Sequence, residues 1–144
     1  MLYKARNLEE LDQVAKLISS KFKKPAIVFL KGNLGVGKTA FVKSFCKNHQ
    51  ISERTVKSPT FSLINIYKKD HIQINHLDLY RLTKSDLYIE EELKEIALKP
   101  NAISFIEWGE RMDNVEKFKN VANLYKITIT NNQDNIRNIT FQEL

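Results

Sequence analysis

The chain has 144 residues, 42% of them hydrophobic and 28% charged, which is the composition of an ordinary globular domain. No apolar run approaches the roughly 18 residues that cross a bilayer. The net charge of +6 is carried by scattered lysines, which by themselves identify no nucleic-acid interface. The opening residues contain no apolar signal core, and the single cysteine, Cys46, cannot form an internal disulfide. We therefore expect one cytoplasmic domain over residues 1–144.

The first third of the sequence alternates helix and strand. Apolar residues recur at helical spacing from Asn7 to about Phe22, and Asn7 is well suited to cap this helix. The apolar run AIVFL, residues 26–30, predicts a strand that is covered on both faces. A second helix is predicted from Lys38 to about Asn48.

The rest of the sequence is richer in strand patterns. A third helix is predicted to begin at Thr83 or Ser85 and to run through Ala97. Strand composition or period-two alternation marks five segments, the last two as a terminal hairpin: residues 61–67, 71–77, 102–106, 124–130 and 136–142. The order of elements indicates an α/β fold whose sheet is mainly parallel at its centre and antiparallel at its edges.

A glycine cluster between the first predicted buried strand and its following helix indicates a phosphate site. The stretch GNLGVGKT, residues 32–39, matches G-x-x-x-x-G-K-[ST]. In such a loop the backbone N–H groups and the helix N-terminus surround the phosphates. Lys38 would reach the outer phosphates, and the Thr39 hydroxyl would bind Mg²⁺. The motif and its context predict a nucleotide-binding protein with the three-layer fold of P-loop NTPases.

Two acidic residues follow apolar runs and are candidates for the metal site. Glu107 ends the run AISFIE, and Asp78 comes just past the predicted strand in INHLDLY. Ligands gather at the carboxyl ends of parallel strands, so both acids are expected near the phosphate loop. The pattern leaves open which acid touches the metal and which orders water. His76 either orients this segment by hydrogen bonding or is structural, and Trp108 is either core, a stacking surface or a partner contact.

Missing motifs narrow the class of nucleotide-binding protein. The N-K-x-D element with which GTPases recognise guanine is absent, as is the signature loop of transport ATPases. A small-molecule kinase needs an acceptor pocket and often an arginine-bearing lid, for which 144 residues leave little room. The chain is best described as a minimal ATP-binding module whose hydrolysis serves another protein.

Four segments in this order resemble one family. They are GNLGVGKT, KSPTFSLINIY, HLDLYRL and IEWGER, at residues 32–39, 57–67, 76–82 and 106–111. The chain resembles the TsaE (YjeE) family of bacterial ATPases, which are needed to make threonylcarbamoyladenosine beside the anticodon of tRNAs that read ANN codons. The phosphate motif is common to many proteins, whereas S-P-T-[FY] followed by H-x-D-L-Y-R and E-W is far more specific.

The resemblance implies a set of nucleotide and metal ligands. Thr39 and Glu107 would coordinate Mg²⁺, and Leu8 at the head of the first helix is a candidate for contact with adenine. Lys38, Asp78 and Glu107 would form the catalytic set. The residues implied to line the phosphates of ATP are Gly35, Val36, Gly37, Lys38, Thr39 and Ala40.

The resemblance also implies two switch-like segments. Asp78 belongs to one of them, and Ser58, Pro59 and Thr60 belong to the other. The family often has Pro at the position of Gly109, so we expect a looser turn in this chain, with an altered partner contact.

By resemblance, the partners are TsaD, which transfers the modification to tRNA, and TsaB. ATP hydrolysis would support repeated turnover of that complex, and contact with tRNA would be indirect. The isolated chain is expected to be a monomer that hydrolyses ATP slowly until a partner completes the site, since no arginine finger in cis is obvious apart from Arg81. The alternatives are a small kinase of a metabolite and a nucleotide-dependent switch that does not hydrolyse ATP.

Overall fold

The structure is a computed structural model that describes residues 1–56, 63–81, 88–112 and 115–144. Within these ranges no helix has the length and hydropathy to traverse a lipid bilayer. The described residues form seven strands and three α-helices, with two short 3-10 helices at Gly109–Arg111 and Val115–Asn120. The elements are β1 Leu2–Ala5, α1 Leu8–Ser19, β2 Ala26–Lys31, α2 Lys38–Asn48, β3 Ile64–Lys69, β4 Ile72–Asp78, α3 Ile89–Ala97, β5 Ala102–Glu107, β6 Asn123–Asn131 and β7 Arg137–Glu143.

All seven described strands form one sheet in the order β1-β7-β6-β2-β5-β4-β3. The four central strands, β6, β2, β5 and β4, are parallel. The outer strands pair in the antiparallel sense, β3 with β4 on one side and β1 with β7 and β7 with β6 on the other. The predicted α/β fold, with its parallel centre, antiparallel edges and terminal hairpin, is confirmed.

Both faces of the sheet are covered, because the side chains of the central strands alternate between two cores. Val28 and Leu30 of β2 belong to a core with α1 and α2. Ile27 of the same strand belongs to a second core with α3, and Phe29 packs against that core. A strand buried on both sides needs an unbroken apolar run, which is what residues 26–30 supply.

The first helix is capped as predicted, but it ends earlier. The Asn7 side-chain oxygen accepts a hydrogen bond from the Glu10 N–H at 2.8 Å. The helix stops at Ser19, and the chain continues with tighter turns in which Phe22 N donates to Ser19 O. Phe22 nevertheless enters the core, 4.9 Å from the ring of Tyr125. The apolar periodicity up to Phe22 therefore predicted correctly that Phe22 is buried, but it predicted a helix that is too long.

The turn between β3 and β4 also differs from the prediction, because the two predicted strands left residues 68–70 between them. The turn is instead Asp70–His71, since Lys69 pairs with Ile72 and Asp70 has a φ of 51°. The described part of α3 begins at Ile89, so its predicted start at Thr83 or Ser85 lies outside the described residues. The same holds for the first two residues of the strand predicted at 61–67.

Candidate nucleotide-binding site

The glycine-rich loop joins the end of β2 to the start of α2, as predicted. Gly37, the residue before α2, has a φ of 115°, a conformation that side-chain-bearing residues rarely adopt. A Cβ on Gly32 would come within 2.6 Å of Ile129 O, so only glycine fits this close approach to β6. Helical bonding in α2 begins with Phe41 N donating to Gly37 O at 2.9 Å. The N–H groups of the residues before Phe41 therefore point out of the helix end, towards the loop.

Lys38 is the first residue of α2, and its side chain reaches back across the loop. Its Nζ donates to Gly32 O at 2.7 Å and lies 4.5 Å from the centre of the Trp108 ring. The residue is only 5% exposed, so the ammonium is held by a carbonyl and an aromatic face inside the site. The predicted phosphate-binding lysine therefore lies at the mouth of the loop.

The two predicted acids lie side by side. The parallel register pairs Asp78 with Glu107, the last residues of β4 and β5. Asp78 is thus the final residue of its strand rather than the first residue after it. Its Oδ1 accepts a hydrogen bond from Tyr80 N at 3.0 Å, which fixes the backbone that leaves the strand. Both acids stand at the carboxyl edge of the sheet, where the phosphate loop also begins.

Glu107 is the more buried acid and connects the loop to β4. It is 4% exposed; its Oε1 lies within hydrogen-bond distance of His76 Nε2, at 2.8 Å, and accepts from Thr39 Oγ1 at 3.4 Å. The predicted metal pair, Thr39 and Glu107, is therefore in contact. His76 is fully buried, and its Nδ1 has no hydrogen-bond partner among the described residues.

A cleft of about 600 Å³ opens beside the loop, within the size range of small-molecule sites. Its lining brings Gly35, Val36 and Lys38 together with Trp108 and the end of β6. Trp108 also contacts the ring of Tyr80 at 5.1 Å, so an aromatic surface borders the cleft. Trp108 is partly buried: it packs against the core that contains α3 and also lines the cleft, so the structure supports both the core and the stacking-surface interpretations.

Arg137 is a site residue that the sequence reasoning missed. It is the first residue of β7, and its Nε lies 2.8 Å from the position that a Cβ on Gly37 would occupy. This Nε is buried and has no hydrogen-bond partner in the described part of the chain. A lone arginine at the start of an alternating strand carries no motif, so only the sheet pairing reveals its contact with the loop.

The remaining predicted site residues are less closely tied to the loop. Leu8 begins α1, is 63% exposed and does not line the cleft. The pairing of Ala5 with Arg137 still brings the start of α1 to the same edge of the sheet, so its contact with adenine stays a prediction. Arg81 is exposed. The predicted switch-like loop with Ser58, Pro59 and Thr60 lies outside the described residues.

The turn after Trp108 does not have the loose packing expected from the glycine at its start. Gly109 is buried, and a Cβ there would meet the Phe29 ring at 2.6 Å. Trp108 itself has a φ of 60°, which is unusual for a bulky residue. The glycine thus permits close packing on β2 instead of loosening the turn.

Comparison with known proteins places this chain in a family. The family described as "Threonylcarbamoyl adenosine biosynthesis protein TsaE" matches residues 5–139. The chain belongs to the TsaE family. The resemblance inferred from the four sequence segments is therefore confirmed.

Curated relatives carry the name "tRNA threonylcarbamoyladenosine biosynthesis protein TsaE". The one from Rickettsia felis is 43% identical over 72% of this chain and 60% of its own length. The one from Rickettsia conorii is 39% identical over 88% of this chain and 77% of its own. The one from Bacillus subtilis is 33% identical over 72% of this chain and 63% of its own. The chain thus spans less than two thirds of some of the relatives that it matches.

A solved structure has the same fold. The crystal structure of Bacillus subtilis YdiB superposes with a TM-score of 0.65 and 26% identity, covering 99% of this chain and 84% of the other. With the strand, glycine-rich loop and helix described above, this likeness identifies the three-layer architecture as that of a P-loop protein.

Proposed function

We propose that this protein binds ATP with Mg²⁺ and hydrolyses it in support of threonylcarbamoyladenosine formation on tRNA. The observation that carries the proposal is the loop from Gly32 to Thr39, set between a buried strand and a helix, with Glu107 in contact with Thr39. Backbone N–H groups at a helix N-terminus are an anion site, and the buried lysine beside them adds a full positive charge.

The residues present fit a nucleotide triphosphate. Gly32 and Gly37 stand where a side chain would clash or strain the backbone, which leaves a cradle of main-chain groups. The partnerless Nε of Arg137 beside Gly37 is a second cation with unused hydrogen-bonding capacity among the described residues. We propose that Lys38 and Arg137 both neutralise phosphate charge, as developing negative charge in phosphoryl transfer requires.

The residues also fit Mg²⁺. A threonine hydroxyl and a carboxylate are the oxygen ligands that this ion prefers, and Mg²⁺ commonly keeps several waters beside one or two carboxylates and the substrate phosphates. No cluster of three or more histidine, cysteine or acidic side chains occurs in the described ranges, so an all-protein metal cage is not present there. Bound Mg²⁺ would supply positive charge that neutralises the phosphates. Thr39 and Glu107 would hold it, and Asp78 would position the attacking water.

We further propose that the protein acts in the cytoplasm with TsaD and TsaB, as one domain that is a monomer when isolated. Support comes from family membership and from the names of the relatives, which refer to tRNA threonylcarbamoyladenosine biosynthesis. A site that is completed by a partner would hydrolyse ATP slowly alone and faster on assembly, with tRNA contacted indirectly.

Calorimetric titration with ATP and Mg²⁺ tests the proposal. We expect wild-type protein to bind, and Lys38→Ala to bind more weakly by about 1.5–3 kcal/mol, roughly 10- to 150-fold, through loss of a charge-assisted phosphate contact. Lys47→Ala is the matched control, because Lys47 lies on the same helix but pairs with Asp12 at the surface.

Absence of binding by folded wild-type protein at millimolar ATP would overturn the proposed function. A second experiment measures the release of phosphate from ATP with and without TsaB and TsaD. Equal rates would contradict completion of the site by a partner, and a phosphorylated small molecule formed in a metabolite extract would indicate a kinase instead.

A further inference from the structure

His76 is a buried residue next to the candidate metal ligand, and the proposed function gives it no role so far. It lies in β4 between the neighbouring strands β3 and β5, and its side chain is fully buried. Its Nε2 is 2.8 Å from Glu107 Oε1, and its Nδ1 is without a hydrogen-bond partner in the described ranges. Among the described residues, the ring is thus held to the site by a single polar contact, to the candidate metal ligand.

The chemistry of the two groups fixes the direction of that contact. A carboxylate that binds a metal ion is ionised and can only accept hydrogen bonds, so in the role proposed below Nε2 carries the hydrogen and donates it to Oε1. Thr39 Oγ1 also donates to Oε1. Both of these donors are directed at the same carboxylate oxygen. One oxygen of Glu107 is therefore anchored twice, and the other, Oε2, is the one that we assign to a ligand.

We propose that His76 is a positioning residue that holds Glu107 for Mg²⁺. The inference rests on the proposed function, because it assigns the metal to Thr39 and Glu107. A carboxylate that ligates a metal needs a fixed orientation, which hydrogen bonds from outside the ligand set supply. Burial within the sheet keeps the ring from turning away, so the Nε2–H sets the Glu107 rotamer before any ligand arrives.

Two amide variants separate this role from a general structural role. In His76→Gln the side-chain amide can reach the position of Nε2 and restore a donor to Glu107. In His76→Asn the amide corresponds to the position of Nδ1 and falls short of Glu107, while the residue remains polar and smaller than histidine. Each variant is titrated with ATP in the presence of Mg²⁺ and again with a chelator and no metal.

We expect Mg²⁺ to strengthen ATP binding by wild-type protein and by His76→Gln. In His76→Asn this metal-dependent gain should fall by about tenfold or more, while the metal-free affinity is retained, since outer hydrogen bonds to metal ligands have effects of this size. Equal metal-dependent gains in wild-type and His76→Asn protein would overturn the inference. Equal losses in the Asn and Gln variants, or loss of the metal-free affinity in His76→Asn, would also overturn it.

The outcome for wild-type protein separates the two proposals. Failure of wild-type protein to bind ATP in either condition refutes the proposed function and the role of His76 together. Metal-dependent binding by wild-type protein that is unaffected by His76→Asn refutes only the role of His76. If His76→Asn does not fold, the titration of His76→Gln decides, because this variant must keep the metal-dependent gain for the inference to stand.

Discussion

Three consecutive residues, the last residue of β5 and the two that follow it, contribute both to the candidate site and to the packing of the fold. Glu107 is held by His76, and Trp108 places its ring against the Lys38 ammonium. Trp108 does so with a φ of 60°, a conformation that costs on the order of 1–3 kcal/mol and persists only where the surroundings enforce it. Gly109 then lets the chain pass directly over the Phe29 ring. The strain and the close approach together set the position of the tryptophan.

Replacing Gly109 with alanine should destabilise the fold. The added Cβ would lie 2.6 Å from the Phe29 ring, so either the ring or the turn must move. We expect Gly109→Ala to lower the free energy of unfolding by about 1–3 kcal/mol, which is typical of overpacking, as measured by urea denaturation.

The control is a double-mutant cycle with Phe29→Leu, which removes part of the ring. If the clash is the cause, the two substitutions together should cost at least about 0.5 kcal/mol less than the sum of their separate effects. Additive effects would assign the loss to the turn itself and contradict this explanation.

Sequence patterns identified the site residues whose positions follow from one contiguous stretch of chain. Lys38 and Thr39 follow a glycine motif whose spacing is read directly along the chain. The contacts of His76 with Glu107 and of Arg137 with Gly37 join residues 31 and 100 positions apart. Such contacts depend on the order of the strands in the sheet, which the pattern of a single strand does not give.

At the scale of elements, α2 connects two different chemical environments. Its N-terminus lies at the phosphate loop, and its last residue, Asn48, is followed by the capping residue His49, whose backbone N–H donates to Cys46 O at 3.0 Å. The His49 ring packs 4.9 Å from that of Phe45, and its Nε2 is 3.0 Å from Ser19 Oγ on α1. Burial, with a smaller contribution from the charge of Lys24, lowers the pKa of His49 below its usual value of 6.5.

This shift predicts a pH-dependent stability. Below pH 6.5 the unfolded chain protonates His49 more readily than the folded chain does, so the unfolded state binds more protons and stability falls as the pH is lowered. We expect urea denaturation between pH 7 and pH 5 to show a smaller loss of stability in His49→Gln than in wild-type protein.

His71→Gln is the control for that experiment, because His71 is exposed in the turn between β3 and β4. Its profile should follow that of wild-type protein. An identical pH dependence in wild-type and His49→Gln protein would show that burial of His49 is not coupled to folding.

Elements with strong patterns were predicted well, and weak ones were missed. The starts of β2 and α2 follow from an apolar run and a phosphate motif, and both agree with the structure. The four-residue edge strand β1 was not predicted, because only Ala5 in it is buried and no alternation develops. It exists through pairing with β7, a tertiary cause that outweighs its local pattern.

At the scale of the whole molecule, both faces of the sheet are covered, and the single cysteine is buried in one of the two cores. Cys46 lies on α2 and is 0% exposed within the core between that helix and the sheet. Burial raises the pKa of its thiol to about 12. Reaction at this site therefore reports opening of the fold rather than surface chemistry.

Alkylation of Cys46 should be slow in the folded protein. We expect labelling by iodoacetamide at pH 8 to be at least about 1,000-fold slower than in denaturant, since a stability of about 5 kcal/mol or more limits the open fraction to that extent. Bound nucleotide should slow it further, because the ligand stabilises the folded state by mass action.

The comparison uses an exposed thiol in the same fold. In a Cys46→Ala background, Leu17→Cys places a cysteine at a position that is 54% exposed on α1, and it should react at the rate of the unfolded chain. Fast labelling of Cys46 in native buffer would show that α2 separates from the sheet without global unfolding.

The place of β7 in the sheet has a consequence for the order of assembly. During synthesis, a nascent chain that has emerged only as far as β6 already contains the glycine-rich loop and both acids. It still lacks Arg137, and β1, the first described strand, lacks the strand that it pairs with until β7 follows. The loop therefore lacks its neighbour Arg137 until β7 has been made and has joined the sheet.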